Sequence, residues 1–301
     1  MDDTRFEIIA KNLAVSLTRR RSLRLLAGAV LGGLVTPLGF PKSEVGDAAK
    51  RERPKSERKR QRKRTLYPEL RTLAAYDLGF DQVDIAGEQV HVLRFSNTVW
   101  NAGEGRLELK GQPNPKVDGA RNIYQIFYDA PIGGTRTKRK VVASDILYHP
   151  SHEHYHFENF ASYLLLKQDA SGTYQKTTKK GTKTSFCIYD YITVEGTNPA
   201  QYIGCGFELT GLTPGWGDTY HASLPDQWIV LGTQPLGDGE YAIQSTADPK
   251  GLIDEGGRNR ERNNTAVTYF TVQGGQISNV RSDSPWPQTA KAKRETLSRA
   301  R

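Results

Sequence analysis

From residue 65 onward the chain is written in short runs of alternating or β-branched residues, each cut off by a turn signal. QVHVLRFSNTVW meets NAGEG and returns as RLELKG, and RNIYQIFYDA ends at PIGG. ASYLLLKQ turns at DASG into TYQKTTKK, and NTAVTYFTV turns at QGG into QISNV. SFCIYDYITV, DQWIVLG and GEYAIQST read as further strands. Runs of this length bounded by Gly, Pro, Asn and Asp, without a sustained 3.6-residue period, specify an all-β fold. The expected architecture is an antiparallel β-sandwich with long irregular loops, among them TGLTPGWGDTYHASLPD. No internal repeat or second domain interrupts the pattern.

The formal net charge of +9 invites a nucleic-acid reading, and its distribution argues against one. Residues 50–64 carry 10 basic and 2 acidic side chains, and the tail 288–301 carries 5 and 1. Residues 65–287 hold 20 basic and 25 acidic residues, so the body is acidic and no nucleic-acid partner is expected of it. The run KRERPKSERKRQRKR has no apolar periodicity and is expected to be a solvated linker, a processing site or an electrostatic tether.

Ahead of it, Arg19–Arg21 precede a mild apolar run from Leu25 to about Val35, followed by small residues at Ala48 and Ala49. The run is shorter than the ~20 apolar residues a membrane span requires. Residues 1–49 therefore read as an export signal of twin-arginine type, the alternatives being an uncleaved anchor or a buried helix. Export places the body at the cell surface or outside the cell, with membrane contact only through the signal or the basic linker. In that oxidising setting Cys187 and Cys205 are expected to pair, whereas in the cytosol they would be two buried thiols.

Four of the six histidines fall in YHPSHEHYHF, Tyr148–Phe157. His152, His154 and His156 are spaced two apart, which in an extended strand turns all three imidazoles to one face. Three nitrogens with open positions suit copper, zinc, iron or nickel, and with waters they make a tetragonal Cu(II) site. The bland reading is a polar strand face.

The longer segment YHPSHEHYHFENFASYLLL resembles the copper-binding segment of the lysyl oxidase family. KTSFCIYD and LTPGWGDTYHASLPDQWIVL resemble further segments of that family in the same order, and the likeness runs from about Pro68 to Val272. The resemblance implies copper on His152, His154 and His156, and a self-made lysyl tyrosylquinone from Lys183 and Tyr220. It implies a catalytic body over 65–287 that converts primary amines, including protein lysine side chains, to aldehydes with release of ammonia and hydrogen peroxide. Asp218, His149 and His221 are the titratable neighbours from which a base could come, each with a structural role as its alternative.

IDEGGRNRERNN and YPEL are similar to the family's calcium-binding pieces, which implies Glu69, Glu255, Asn263 and Asn264 as calcium ligands, with Glu261 competing with Glu255 for one role. The alternative is an asparagine-rich turn. Two departures belong to this chain: Asp226 stands where the animal enzymes show cysteine, and His221 where they show glycine. The competing function is a non-catalytic extracellular β-sandwich module that holds copper or calcium.

Overall fold

The computed structural model describes residues 64–150, 152–257 and 263–283. The expected export signal, nearly all of the basic linker, Glu261 and the basic tail lie outside the described residues. Among those described, no helix is long and apolar enough to cross a membrane.

The strands follow the punctuation of the sequence. First come β1 (Leu70–Thr72), β2 (Tyr76–Ile85), β3 (Glu88–Asn101), β4 (Leu107–Pro113), β5 (Gly119–Tyr128) and β6 (Arg136–Val142). Next are β7 (Ile146–His149), β8 (His154–Phe157), β9 (Ala161–Gln168), β10 (Tyr174–Lys180) and β11 (Ile192–Thr193). The chain closes with β12 (Thr210–Leu212), β13 (Trp216–Tyr220), β14 (Trp228–Gly232), β15 (Gly239–Ala247), β16 (Thr265–Gln273) and β17 (Gln276–Ser282). Every pairing among them is antiparallel, as expected of an all-β chain.

They form three sheets. One runs β1-β3-β13-β11, with β2 and β14 also on β3; the second runs β10-β9-β15-β16-β17; the third runs β12-β4-β5-β7-β8, with β6 on β5. The long β3 makes the first possible. Its leading half pairs with β2 and β14, and its trailing half, buried on both faces, pairs with β1 and β13.

One core joins the three sheets, with Phe95, Leu109, Ile123, Phe160, Ile243 and Phe270 fully buried in it. Burying side chains of this size stabilises by roughly 1.5–3 kcal/mol each. Tyr220 packs in the same core.

Two segments depart from the sequence reading. SFCIYDYITV contains only β11 and an isolated bridge between Phe157 and Phe186. Its backbone is satisfied piecemeal instead: the Cys187 N–H donates to the Tyr220 hydroxyl, the Asp190 N–H to the Tyr202 carbonyl, and the Tyr191 and Val194 N–H groups to the carbonyls of Gly217 and Gly215. Conversely, TGLTPGWGDTYHASLPD is not wholly irregular, because it holds β12 and β13. Strand β13 is fixed by pairing Gly217 with Trp100 and Tyr220 with Asn97.

Candidate metal and cofactor site

The histidines sit on a hairpin. Strands β7 and β8 pair Ile146 with Phe157, Leu147 with His156 and His149 with His154. Strand β7 also reaches β5, where Gly119 pairs with Leu147 at a φ of 140°. A Cβ at Gly119 would stand 2.0 Å from the Ile146 carbonyl oxygen, so glycine permits this approach and thereby seats the hairpin.

Only His154 and His156 lie on the strand. His152 belongs to the turn, so strict alternation is not what brings the three together. The His152 and Glu153 N–H groups both donate to the His149 carbonyl, at 3.1 and 2.9 Å, and Glu153 takes a φ of 56°. This tight reversal folds His152 back over its neighbours. One ligand nitrogen from each of His152, His154 and His156 then lies within 4.8 Å of the others. His149 joins them, its ring 4.3 Å from His152 and 4.9 Å from His156.

Burial, followed by the charge of Lys183, pulls His152 and His154 down to about 4 and His156 to about 2. All three are neutral donors at pH 7. His156 is 1% exposed, and its Nδ1 meets Ser185 Oγ at 3.2 Å. That contact orients the ring and directs Nε2 inward. Among the described residues, buried His152 Nε2 and His156 Nε2 have no hydrogen-bond partner. Two buried imidazole nitrogens without partners, with a third nitrogen beside them, fit a copper ion.

Lys183, 4% exposed, brings its Nζ to 3.2 Å from His152 Nδ1 and 3.4 Å from His156 Nδ1. The same Nζ lies 5.1 Å from the centre of the Tyr220 ring. Burial lowers the amine to about 8, against the pull of Asp226, Asp218 and Glu158. Tyr220 is 5% exposed; its ring lies 4.1 Å from Phe186 and its hydroxyl accepts the Cys187 N–H at 2.7 Å. Burial, then Asp218, holds its phenol well above the usual tyrosine range. Asp218 leaves the same face of β13 two residues earlier. It is fully buried, both carboxylate oxygens lack side-chain partners among the described residues, and burial raises its carboxyl well above the usual carboxylate range.

Cys187 and Cys205 are joined in a disulfide, with Cα atoms 5.2 Å apart. His221 turns aside to the Tyr191 hydroxyl at 3.2 Å. Two contributors were not anticipated from the sequence. Ser185 could have been noticed within KTSFC, but the Asp226 carboxylate reaches the cluster only through folding, and no local pattern announced it.

Glu69, Glu255, Asn263 and Asn264 also come together, in pairs. Glu255 accepts the Leu70 N–H at 2.6 Å and the Asn264 amide at 2.8 Å, and Glu69 accepts the Asn263 amide at 2.7 Å. Protein donors thus occupy these carboxylates, while Asn264 Oδ1 is buried without a partner among the described residues. Burial raises Glu255 to about 7.

The family model described as lysyl oxidase matches residues 130–280. Protein-lysine 6-oxidase of Rattus norvegicus is 36% identical over 110 residues, covering 36% of this chain and 25% of the relative. Its Sus scrofa counterpart is 34% identical over 110 residues, covering 36% of this chain and 41% of the relative. Lysyl oxidase homolog 1 of Homo sapiens is 36% identical over 110 residues, covering 36% and 18%. The chain therefore spans less than half the length of these curated relatives.

Proposed function

The chain belongs to the lysyl oxidase family, and from that premise we propose that it is a copper-dependent amine oxidase acting on primary amines, protein lysine side chains among them. The observation that carries this reading is the position of Lys183 Nζ, within hydrogen-bonding distance of two histidines of the proposed copper set and 5.1 Å from the Tyr220 ring centre. Copper would supply redox chemistry with dioxygen, and a lysyl tyrosylquinone made from Lys183 and Tyr220 would supply the carbonyl that takes the amine.

The residues around that pair have separable tasks. His152, His154 and His156 present neutral nitrogens to the ion, and Ser185 orients the ring of His156. Packing of Tyr220 against Phe186 and its hydrogen bond from Cys187 fix the ring in place. Burial brings Lys183 close enough to neutrality that its amine is available for covalent chemistry.

The test is reconstitution of metal-free protein with Cu(II) in air, followed by peptide mass mapping and a peroxide assay with a primary amine. A Lys183–Tyr220 crosslink together with peroxide is expected; copper uptake with neither overturns the reading. One observation favours the alternative of a non-catalytic metal-binding module. The Tyr220 hydroxyl already satisfies a buried backbone N–H, which is a sufficient structural reason for that tyrosine. That alternative requires Lys183 and Tyr220 to stay unmodified in the same experiment.

We propose further that residues 1–49 direct export, that 50–64 act as a linker to a catalytic body over 65–287 and that 288–301 form a basic tail. The disulfide supports an oxidising destination. Calcium at Glu69, Glu255, Asn263 and Asn264 is proposed on the buried, unpartnered Asn264 oxygen.

A further inference from the structure

We propose that His149, His152 and Asp226 form a second metal position, overlapping the three-histidine set and mutually exclusive with it. One ligand atom from each of the three lies within 4.8 Å of the others. Bonds of about 2.0–2.2 Å to a common ion need donors no more than about 4.4 Å apart, so a small side-chain rotation closes the set. All three residues are half-buried, whereas the three-histidine set includes fully buried His156. The second position is therefore the more open to an ion arriving from solvent.

The backbone keeps Asp226 in place. Its φ is 63°, a conformation that aspartate tolerates better than most residues. Its carbonyl accepts the Lys183 N–H at 3.2 Å and the Trp228 N–H at 2.8 Å, which pins the turn beside the hairpin.

Exclusivity follows from the chemistry of His152. A neutral imidazole has one lone-pair nitrogen, so His152 serves one ion at a time. Two imidazoles and a carboxylate make a harder set than three imidazoles, suited to Zn(II), Co(II) or Fe(II). An ion held there withholds His152 from copper. The inference leans on the copper reading only for that shared ligand.

The test uses the full chain. His154→Ala removes one ligand of the histidine triad and leaves the second set whole; Co(II) binding is followed by visible absorption and equilibrium dialysis, with circular dichroism to verify the fold. One Co(II) per chain is expected, and adding Asp226→Asn should weaken it by about tenfold or more. A folded His154→Ala protein that binds no Co(II), or binding indifferent to Asp226→Asn, overturns the proposal. Two ions per wild-type chain at these ligands overturn the exclusivity.

Asp226→Asn alone gives a second readout that does not depend on the fold of the His154 variant. Zinc should slow copper uptake by the wild type, and the variant should need about tenfold more zinc for the same effect; equal inhibition overturns the proposal. Failure of the oxidase reading would appear separately, as copper-loaded wild type without the Lys183–Tyr220 crosslink.

Discussion

Lys183 stands between two histidine rings and an aromatic ring, and its charge state decides which of them it serves. Protonated, it donates toward His152 and His156; neutral, it is a nucleophile 5.1 Å from the Tyr220 ring centre. Arginine at this position would stay charged, because guanidinium does not lose its proton in proteins. Lys183→Arg is therefore expected to take up copper while yielding no crosslinked peptide and no peroxide, as mass mapping and an amine-dependent peroxide assay will check. At this scale the sequence was informative where donors are close along the chain. His152, His154 and His156 could be read from their spacing, although a turn and not an unbroken strand gathers them. Lys183 and Tyr220 carried no local signal and depended on the family likeness. Asp226 was visible only as a departure from that likeness, because its carboxylate meets the histidines through a contact 70 or more residues away in sequence.

Among the elements, the β7–β8 hairpin rests on Gly119. Alanine there would meet the Ile146 carbonyl oxygen and would also have to hold a φ of 140°, so Gly119→Ala should cost more than about 1 kcal/mol. It should also weaken copper binding with every ligand intact, and urea unfolding alongside a copper titration will measure both effects. The Glu255 cluster permits a signed pH prediction. Burial raises this carboxyl from its ordinary 4.5 to about 7, so the fold favours the protonated form. Its stabilising contribution is complete below pH 4.5 and is lost as pH rises through about 7, by up to about 3 kcal/mol. Urea midpoints in chelator should fall over this window in wild type relative to Glu255→Gln, a difference that removes the histidine contribution common to both. If the cluster takes calcium, millimolar calcium will restore the wild type at pH 8 and leave the variant unchanged. The element boundaries that eluded the sequence have a common cause. SFCIYDYITV has strand composition, but its N–H groups go one by one to the Tyr220 phenol and to scattered carbonyls; WGDTY is interrupted by Gly217 and Asp218, but β3 imposes pairing on it.

Across the whole molecule, the all-β character was legible because alternation and turn residues agree along the entire body. The division into three sheets was not, because it depends on β3 changing partners midway along its length. The disulfide also acts at this scale. It closes a separation of 18 residues, for which the chain-entropy estimate gives about 3 kcal/mol. Replacing both cysteines with alanine should lower stability by roughly that amount in a denaturant melt. The Cys187 backbone N–H that meets the Tyr220 hydroxyl survives the replacement, but the segment carrying it loses its tether to Cys205, so the crosslink yield should fall as well.

The hairpin that gathers the histidines has a further consequence for the order in which the molecule assembles. His149 to His156 span eight consecutive residues, and a loop that short closes within about 100 ns of becoming free to move. Tyr220 reaches its place only after much longer loops have closed around β3, at greater entropic cost and later in time. The histidines can therefore be gathered before the aromatic ring is delivered, an order that stopped-flow refolding with and without Cu(II) will test.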